Sequence, residues 1–256
     1  MPYLALDTAT TSLSIAVGER GRLFGEATTQ LSRNHSVKLM PLVESLLESL
    51  DIAPDQLQGL IVGRGPGSYT GVRIAVTAAK AIAFSLQIPL VGVSTMDGLA
   101  RHGALSDALV VPLLDARRKQ AYTAMYENQN GAFVKLQEDR LLGLDDIIRG
   151  IHSRMVVRRL DKSKPAQVLL LGDGAENHRA ELQEKLGDKA RFATSSSQNF
   201  VRAAHLLDAG IAMLEAGESH DTATFAPEYL QLVEAEVKWN AAQQAKVAVT
   251  KEGDAK

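Results

Sequence analysis

A glycine-rich stretch, Gly63–Val76, has the residue types of a loop that could hold a phosphate or another anion. It reads GRGPGSYTGVRIAV, and its glycines allow positive φ angles and a close approach of the backbone to another group. Free N–H groups at the start of a following helix could bind an anion. It is not a Walker loop, because no Gly-Lys-Ser/Thr follows the glycines. A tight strand-to-helix turn without a ligand explains the same residues equally well. The candidate anion-binding residues are Gly63, Gly65, Gly67 and Ser68.

A second candidate is the hydroxyl-rich segment Asp7–Ser12, which reads DTATTS and follows an apolar run. An aspartate at a strand end, followed by hydroxyl residues in a tight turn, can bind phosphate or a metal-bound water. An Asx or ST turn that closes a hairpin is the alternative interpretation of the same residues. The candidate side chains are Asp7, Thr8 and Thr10.

The elements that would position both segments follow from hydrophobic periodicity. The first hundred residues predict three strands, a helix, a strand, a helix and a strand, with the glycine-rich stretch between the fourth strand and the second helix. The predicted ranges are Tyr3–Leu6, Leu13–Val17, Leu23–Thr28, His35–Leu50, Gly59–Gly63, Thr70–Leu86 and Ile88–Ser94.

The same order of elements restarts in the second half of the chain. Asp115 ends the first strand of this half, as Asp7 ends the first strand of the chain. We therefore expect two related α/β units, 1–103 and 104–224, although little letter-by-letter identity joins them. The ranges predicted in the second half are Leu109–Asp115, Ala121–Glu127, Ala132–Gln137, Leu144–Ile151, Gln167–Gly172 and Ala175–Leu186.

Composition excludes several classes of protein. The 256 residues are 45% hydrophobic and 23% charged, with a net charge of −2, so neither global disorder nor polycation behaviour is expected. The absence of cysteine removes disulfides, thiolate metal sites and cysteine nucleophiles. No signal peptide and no membrane span of about 20 apolar residues is recognisable, which favours a cytoplasmic protein without membrane contact. The basic segment 154–164 is interpreted as a surface loop, and 241–256 as a flexible tail.

The two helices of the first half have unusually wide apolar arcs. A helix that packs on one side of a sheet needs a narrower apolar face. Two interpretations stay open: both helices are buried against the sheet and each other, or their outer faces bind a partner. The candidate contact residues are Leu39, Met40, Val43, Leu47, Ile74, Ala78, Ala81 and Ile82.

Five segments, in this order, resemble the TsaB (formerly YeaZ) family of tRNA threonylcarbamoyladenosine biosynthesis proteins, and the resemblance covers about 1–239. They read ALDTAT, GRGPGSYTGVRIAV, LVGVST, LLDARRKQAY and PEYLQLVEAEVKW. The resemblance implies an actin-like (ASKHA) ATPase fold of class α/β, with two ribonuclease-H-like units and mixed central sheets. It also implies that 225–240 returns to the first unit and that the second unit is reduced.

The resemblance further implies that the chain is an inactive paralogue of TsaD, the subunit that transfers threonylcarbamoyl to adenosine 37 of tRNA. Thr95 and Leu99 fall where TsaD has its two metal-binding histidines, and neither is a suitable metal ligand. The turn that is glycine-rich in TsaD carries Arg117, Arg118 and Lys119 here, which could attract an anion or simply be exposed charges. On this basis the anion loop is vestigial, with no catalytic residue and no metal.

Partners are likewise implied by the resemblance. The family pairs with TsaD through the two wide-faced helices and works with the ATPase TsaE, with tRNA contacted indirectly or weakly. A homodimer is expected in the absence of TsaD. No cofactor is expected in the isolated subunit, and a nucleotide at the partner interface is left open.

Two other functions compete with this interpretation. An active ATPase or phosphotransferase of the same fold would use the glycine-rich loop, but the second unit offers no matching anion site. A peptidase acting on TsaD would need a catalytic set that no spacing in this sequence supports.

Overall fold

The computed structural model describes residues 1–30, 34–160 and 165–231, except for the side chain of Arg159. The first half contains β1 (Tyr3–Asp7), β2 (Ser12–Glu19), β3 (Arg22–Gln30), α1 (His35–Ser49), β4 (Leu60–Gly63), α2 (Tyr69–Leu86), β5 (Leu90–Val93) and α3 (Thr95–Ala100). The second half contains β6 (Leu109–Asp115), β7 (Gln120–Gln129), β8 (Ala132–Gly143), α4 (Leu144–Leu160), β9 (Val168–Leu171), α5 (Asp173–Asn177), α6 (Arg179–Leu186), β10 (Ala190–Phe192) and α7 (Ala203–Glu215).

Two mixed five-stranded sheets have the same topology. The first has the order β3-β2-β1-β4-β5 and the second the order β8-β7-β6-β9-β10. In each sheet the first three strands are antiparallel neighbours and the last two run parallel to the first strand. Asp7 and Asp115 end the equivalent strands β1 and β6. The predicted duplication of an α/β unit with a mixed central sheet is confirmed.

Helices cover both faces of the first sheet. Because side chains alternate along a strand, Leu6 and Val62 face α1 and α2, whereas Ile61 faces α7. Gly210 of α7 allows this contact, since a Cβ there would lie 2.4 Å from Cγ2 of Ile61. Helix α7 thus packs on the first sheet, although it lies within 104–224, which we expected to form the second unit.

The interpretation of the basic segment 154–164 as a surface loop is wrong for the part that the structure describes. Helix α4 continues to Leu160, and Met155 extends its buried stripe. Arg158 is buried, with Nη1 at 2.5 Å from Oε2 of Glu127. The guanidinium of Arg158 is therefore paired with the buried carboxylate of Glu127 on β7 and is not solvated as the loop interpretation expected. Residues 161–164 lie outside the described residues.

The segment 218–231, here called the C-terminal strap, crosses the first unit after α7. His220 N donates to the carbonyl of Leu90 at 2.8 Å, and Phe225 joins the first core. The ring of Phe225 occupies the space beside Gly92, where a Cβ would lie 2.5 Å from Cζ. The expected return of 225–240 is described only as far as 231, and the predicted tail 241–256 lies outside the described residues. Among the helices described, none is long and apolar enough to cross a membrane.

Candidate functional site

The glycine-rich loop between β4 and α2 packs directly on the turn between β1 and β2. Ser68 N donates to the carbonyl of Ala9 at 2.7 Å. A Cβ at Gly67 would lie 2.3 Å from that same oxygen, and a Cβ at Gly71 would lie 2.1 Å from the carbonyl oxygen of Thr8. Glycine is therefore required at both positions by backbone-to-backbone contact.

Asp7 is fully buried beneath this contact. Ala9 N donates to Oδ1 at 3.0 Å, and Thr95 Oγ1 donates to Oδ2 at 3.2 Å. Burial raises the pKa of the Asp7 carboxyl from 3.8 to about 6, because loss of solvent disfavours the charged form more than the two hydrogen bonds favour it. A Cβ at Gly63 would lie 1.8 Å from Oδ2, so the strand β4 closes over the carboxylate.

The threonines of the turn are also engaged within the chain. Thr8 Oγ1 donates to the carbonyl of Gly71 at 2.6 Å and accepts from Ala75 N at 3.1 Å, so it fixes the first two turns of α2. Thr10 Oγ1 lies 2.8 Å from Ser12 Oγ and accepts from Ser12 N. The hydroxyl-rich segment therefore forms an ST turn of the kind the alternative interpretation expected.

Several loop amides that could cradle an anion donate to protein atoms. Arg64 N donates to the carbonyl of Val93, and Gly71 N donates to Ser68 Oγ, which caps α2. Gly65, with φ +102°, presents its carbonyl to Thr95 N at 2.9 Å. This network holds β1, β4, α2 and α3 together at one point, and it consumes donors on which phosphate binding would depend.

The positions compared with the TsaD histidines are occupied by packing residues. Thr95 is buried and donates a hydrogen bond to Asp7, and Leu99 is buried in an apolar cluster. His102 and His205 lie edge to face at 4.4 Å, and each ring is bonded to a backbone carbonyl. Burial lowers the pKa of both, that of His205 to about 4, so both are neutral at pH 7. Across 1–30, 34–160 and 165–231, no three His, Asp or Glu side chains are grouped to hold a metal ion.

The turn between β6 and β7 has an unusual backbone. Arg117, Arg118 and Lys119 have φ angles of 66°, 52° and 57°, in the left-handed region that residues with a Cβ rarely adopt. Their side chains are exposed, and Lys119 Nζ lies 3.2 Å from Oε2 of Glu181. At Lys119, the nearby carboxylate offsets the positive charge.

An apolar groove of about 870 Å³ runs between α1 and α2 on the outer surface of the first unit. Arg73 is the only charged side chain among the described residues that line it. Its walls are formed by Ser36, Leu39, Met40, Pro54, Tyr69, Thr70, Arg73, Ile74, Thr77, Ala78, Ala81, Ile82, Ser85 and Leu86. The groove forms because alanines occupy positions on the outer side of α2, where a helix that packs only on its own sheet would carry polar side chains.

The structure divides the predicted contact residues into two sets. Leu39, Val43 and Leu47 are buried in the chain's own core, and only Leu39 reaches the groove. The others line the groove from outside: Met40 and Ala81 are exposed, and Ile74, Ala78 and Ile82 are half-buried. The wide apolar arc of α1 therefore serves the core on one side and the groove on the other.

An aromatic cluster at one end of the groove was not predicted from the sequence. Tyr69 and Tyr229 stack with ring centroids 4.9 Å apart, and the guanidinium carbon of Arg73 lies 4.9 Å from the Tyr69 centroid. Arg73 Nη1 also donates to Tyr69 Oη at 2.6 Å. The signal available in the sequence was the spacing of Tyr69 and Arg73 by one helical turn.

A second unpredicted cluster joins the two units. Lys135 Nζ lies 2.9 Å from Asp97 of α3 and 2.7 Å from Asp139 of β8. Asp139 also accepts from Ser94 Oγ, and Asp97 accepts from Tyr126 Oη at 2.6 Å. Burial raises the pKa of Asp139, against the lowering effect of Lys135 and Ser94. Asp139 reaches α3 because β8 bulges opposite β7 at this point.

Two units with this strand order and these mixed sheets define the actin-like (ASKHA) ATPase fold. The family described as "TsaD: tRNA N6-adenosine threonylcarbamoyltransferase" matches residues 26–239. A Bacillus subtilis protein, tRNA threonylcarbamoyladenosine biosynthesis protein TsaB, is 38% identical over 244 residues, covering 95% of this chain and 100% of the relative. The TsaB of Escherichia coli is 32% identical over 161 residues, covering 60% of this chain and 66% of the relative.

Solved structures agree with these relatives. YeaZ from Pseudomonas aeruginosa superimposes with a TM-score of 0.69 at 26% identity, covering 90% of this chain and 99% of that one. The chain belongs to the TsaB (YeaZ) family, and it is also similar to TsaD over residues 26–239.

Proposed function

We propose that the chain takes part in tRNA threonylcarbamoyladenosine biosynthesis as a non-catalytic subunit that binds and activates TsaD, together with TsaE. Membership of the TsaB family supports the pathway. In this proposal TsaD transfers threonylcarbamoyl to adenosine 37, and this chain holds TsaD in a productive conformation.

The groove between α1 and α2 is the observation that carries the proposal. An exposed apolar groove of this size is unusual on a surface that binds nothing. Ala78 and Ala81 are small enough for a helix of another protein to approach α2 closely, and Met40 can adapt its shape to that helix. We propose that TsaD fills this groove, and that a second copy of the chain fills it when TsaD is absent.

A non-catalytic role is supported by the backbone N–H groups of the glycine-rich loop, because they donate to atoms of the chain itself. Ser68 N and Gly71 N donate to groups of the chain itself, and Asp7 is enclosed by Gly63. A phosphotransferase would need these groups to face its substrate. The proposal assigns no cofactor to the isolated subunit. If a nucleotide lay at the interface, the measured affinity of this chain for TsaD would depend on the ATP concentration.

Reconstitution of tRNA threonylcarbamoylation tests the role. The reaction is run with threonylcarbamoyl-adenylate, TsaD, TsaE and this chain, leaving out one protein at a time, and this chain is also assayed alone with ATP. We expect modification to require both this chain and TsaD, with no ATP turnover by this chain alone. Modification without this chain would refute the activating role, and turnover by the chain alone would favour the ATPase alternative.

The docking surface is tested by a matched pair of variants. Ala81→Arg places a charged side chain in the groove, and Ala212→Arg places the same side chain on an exposed position of α7. We expect Ala81→Arg to reduce TsaD binding at least about tenfold, because its charge must be desolvated at the interface. Ala212→Arg should bind normally. Undiminished binding by Ala81→Arg would show that TsaD docks elsewhere.

A further inference from the structure

The end of the groove carries a positive charge that has no acidic partner among the described residues. Across the described residues, the contacts of the Arg73 guanidinium are with Tyr69, through its ring and its hydroxyl, and no carboxylate forms an ion pair with it. Arg73 is exposed, and the rest of the groove lining is uncharged. A partner that only matched the apolar walls would leave this charge facing a poorly hydrated surface.

Arg73 is also held in place before any partner arrives. Its Nη1 donates to Tyr69 Oη, which orients the guanidinium, and Tyr229 stacks on the ring of Tyr69. The remaining N–H groups of a guanidinium form a planar fork that matches a carboxylate. Because Arg and Tyr side chains that are already ordered lose little entropy on binding, such clusters often dominate interface energies.

The C-terminal strap keeps Tyr229 at the groove. Lys80 Nζ donates to the carbonyl of Phe225 at 2.7 Å, and Glu228 N donates to the carbonyl of Arg64 at 2.8 Å. These bonds tie the strap to α2 and to the glycine-rich loop immediately before Tyr229. The position of the aromatic cluster is thus fixed by the same elements that fix α2.

We propose that Arg73, ordered by Tyr69 and Tyr229, receives an acidic side chain of TsaD and so sets the register in which TsaD lies along the groove. The proposal rests on the docking surface described above and adds the chemistry of one contact at its end. The occupant is a protein surface with an apolar stripe that ends in an aspartate or glutamate. Charge complementarity of this kind acts mainly on specificity and association rate.

The test measures the dissociation constant for TsaD by titration calorimetry at 50 and 300 mM NaCl. We expect Arg73→Gln to weaken binding about tenfold at low salt and to flatten the salt dependence, because one ion pair is removed. Arg73→Glu should bind still more weakly, since it faces a carboxylate. Tyr69→Phe, which keeps the ring but frees the guanidinium, should lie between wild type and Arg73→Gln. Arg22→Gln is the matched control, because Arg22 also stacks on a ring, that of Phe24, away from the groove.

The outcomes separate this inference from the docking surface itself. If Arg73→Gln binds like wild type at both salt concentrations while Ala81→Arg fails to bind, the acidic contact is refuted and the docking surface stands. If Ala81→Arg also binds normally, both fail. Equal affinities for Arg73→Gln and Arg73→Glu would refute a carboxylate partner. A loss confined to tRNA binding or to self-association of the chain would also overturn the proposal.

Discussion

Replacement of Asp7 by asparagine should stabilise the protein at neutral pH. The Asp7 carboxyl is buried, and its pKa is raised from 3.8 to about 6 in the folded state. Between these two values the folded chain keeps a proton that the unfolded chain has released, so the free energy of unfolding falls as the pH rises. At about 1.4 kcal/mol per pKa unit, the full loss is about 3 kcal/mol, reached once the pH is above 6.

An asparagine removes this ionisation with little change of shape. Its Oδ1 can still accept from Ala9 N, and the Thr95 hydroxyl can turn to accept from the new amide. We therefore expect Asp7→Asn to be about as stable as wild type at pH 3.5 and more stable by up to about 3 kcal/mol at pH 7.5. Urea unfolding followed by circular dichroism at a series of pH values measures the difference, and other titrating groups cancel because both proteins carry them.

The prediction is tested by how the difference in the free energy of unfolding between wild type and Asp7→Asn changes with pH. Thr95→Val provides a second check, because loss of the hydroxyl bond should raise the pKa of Asp7 further and move the transition to higher pH. A difference between wild type and Asp7→Asn that stays constant from pH 3.5 to 7.5 would refute the reasoning. So would an asparagine variant that is less stable at every pH, since it would show that the ionised carboxylate is favoured by the fold.

Three further substitutions test the contacts that organise the molecule, each by urea unfolding at pH 7.5. Gly71→Ala should lower the free energy of unfolding by about 3 kcal/mol, because its Cβ would meet the backbone of the β1–β2 turn. Gly143→Ala is its control and should change the free energy of unfolding by less than about 1 kcal/mol, because the atom nearest to its Cβ would be 3.6 Å away. Equal effects of the two substitutions would contradict the close approach at Gly71. Lys135→Met should cost about 2 kcal/mol, since it leaves two carboxylates together in a partly buried site. Arg158→Met should cost about 3–5 kcal/mol, because it leaves a buried glutamate unpaired. Lys119→Met, which breaks an exposed pair, is the control for both, and a loss as large as theirs would refute the role of burial.

The order of most elements could be predicted from the sequence because each of them has a clear local pattern, whereas α3, β10 and α7 were not predicted. Strands such as Leu109–Asp115 are short apolar runs, and α1 repeats Leu39, Val43 and Leu47 at helical spacing. These patterns depend only on neighbours along the chain. The duplicated topology then followed from the order alone, and the two sheets confirm it.

Contacts between distant parts of the chain could not be predicted in this way. Helix α7 has an ordinary amphipathic pattern, and nothing in it indicates which sheet it covers. Arg158 looked like a solvated charge because its partner, Glu127, lies on a strand far back in the sequence. The ion pairs of Lys135 could not be predicted for the same reason, because Asp97 belongs to the other unit and Asp139 lies at a bulge in β8.

The candidate site was found from its residue types, but the sequence left two meanings for it. Glycines at a strand-to-helix turn serve equally to admit a phosphate or to admit another backbone. The structure shows that two of these glycines admit another backbone, because the carbonyl oxygens of Thr8 and Ala9 face Gly71 and Gly67. Only three-dimensional contacts supply that information.

The glycine-rich loop and the groove are therefore parts of one arrangement. Thr8 forms hydrogen bonds with Gly71 and Ala75 in the first two turns of α2, and the same helix carries Arg73 between them and the groove residues Ala78 and Ala81 after them. A shift of the loop would move the whole helix against α1 and change the width of the groove. Residues that resemble a phosphate loop thus set the position of the surface we propose for TsaD, and this structural role requires no bound phosphate.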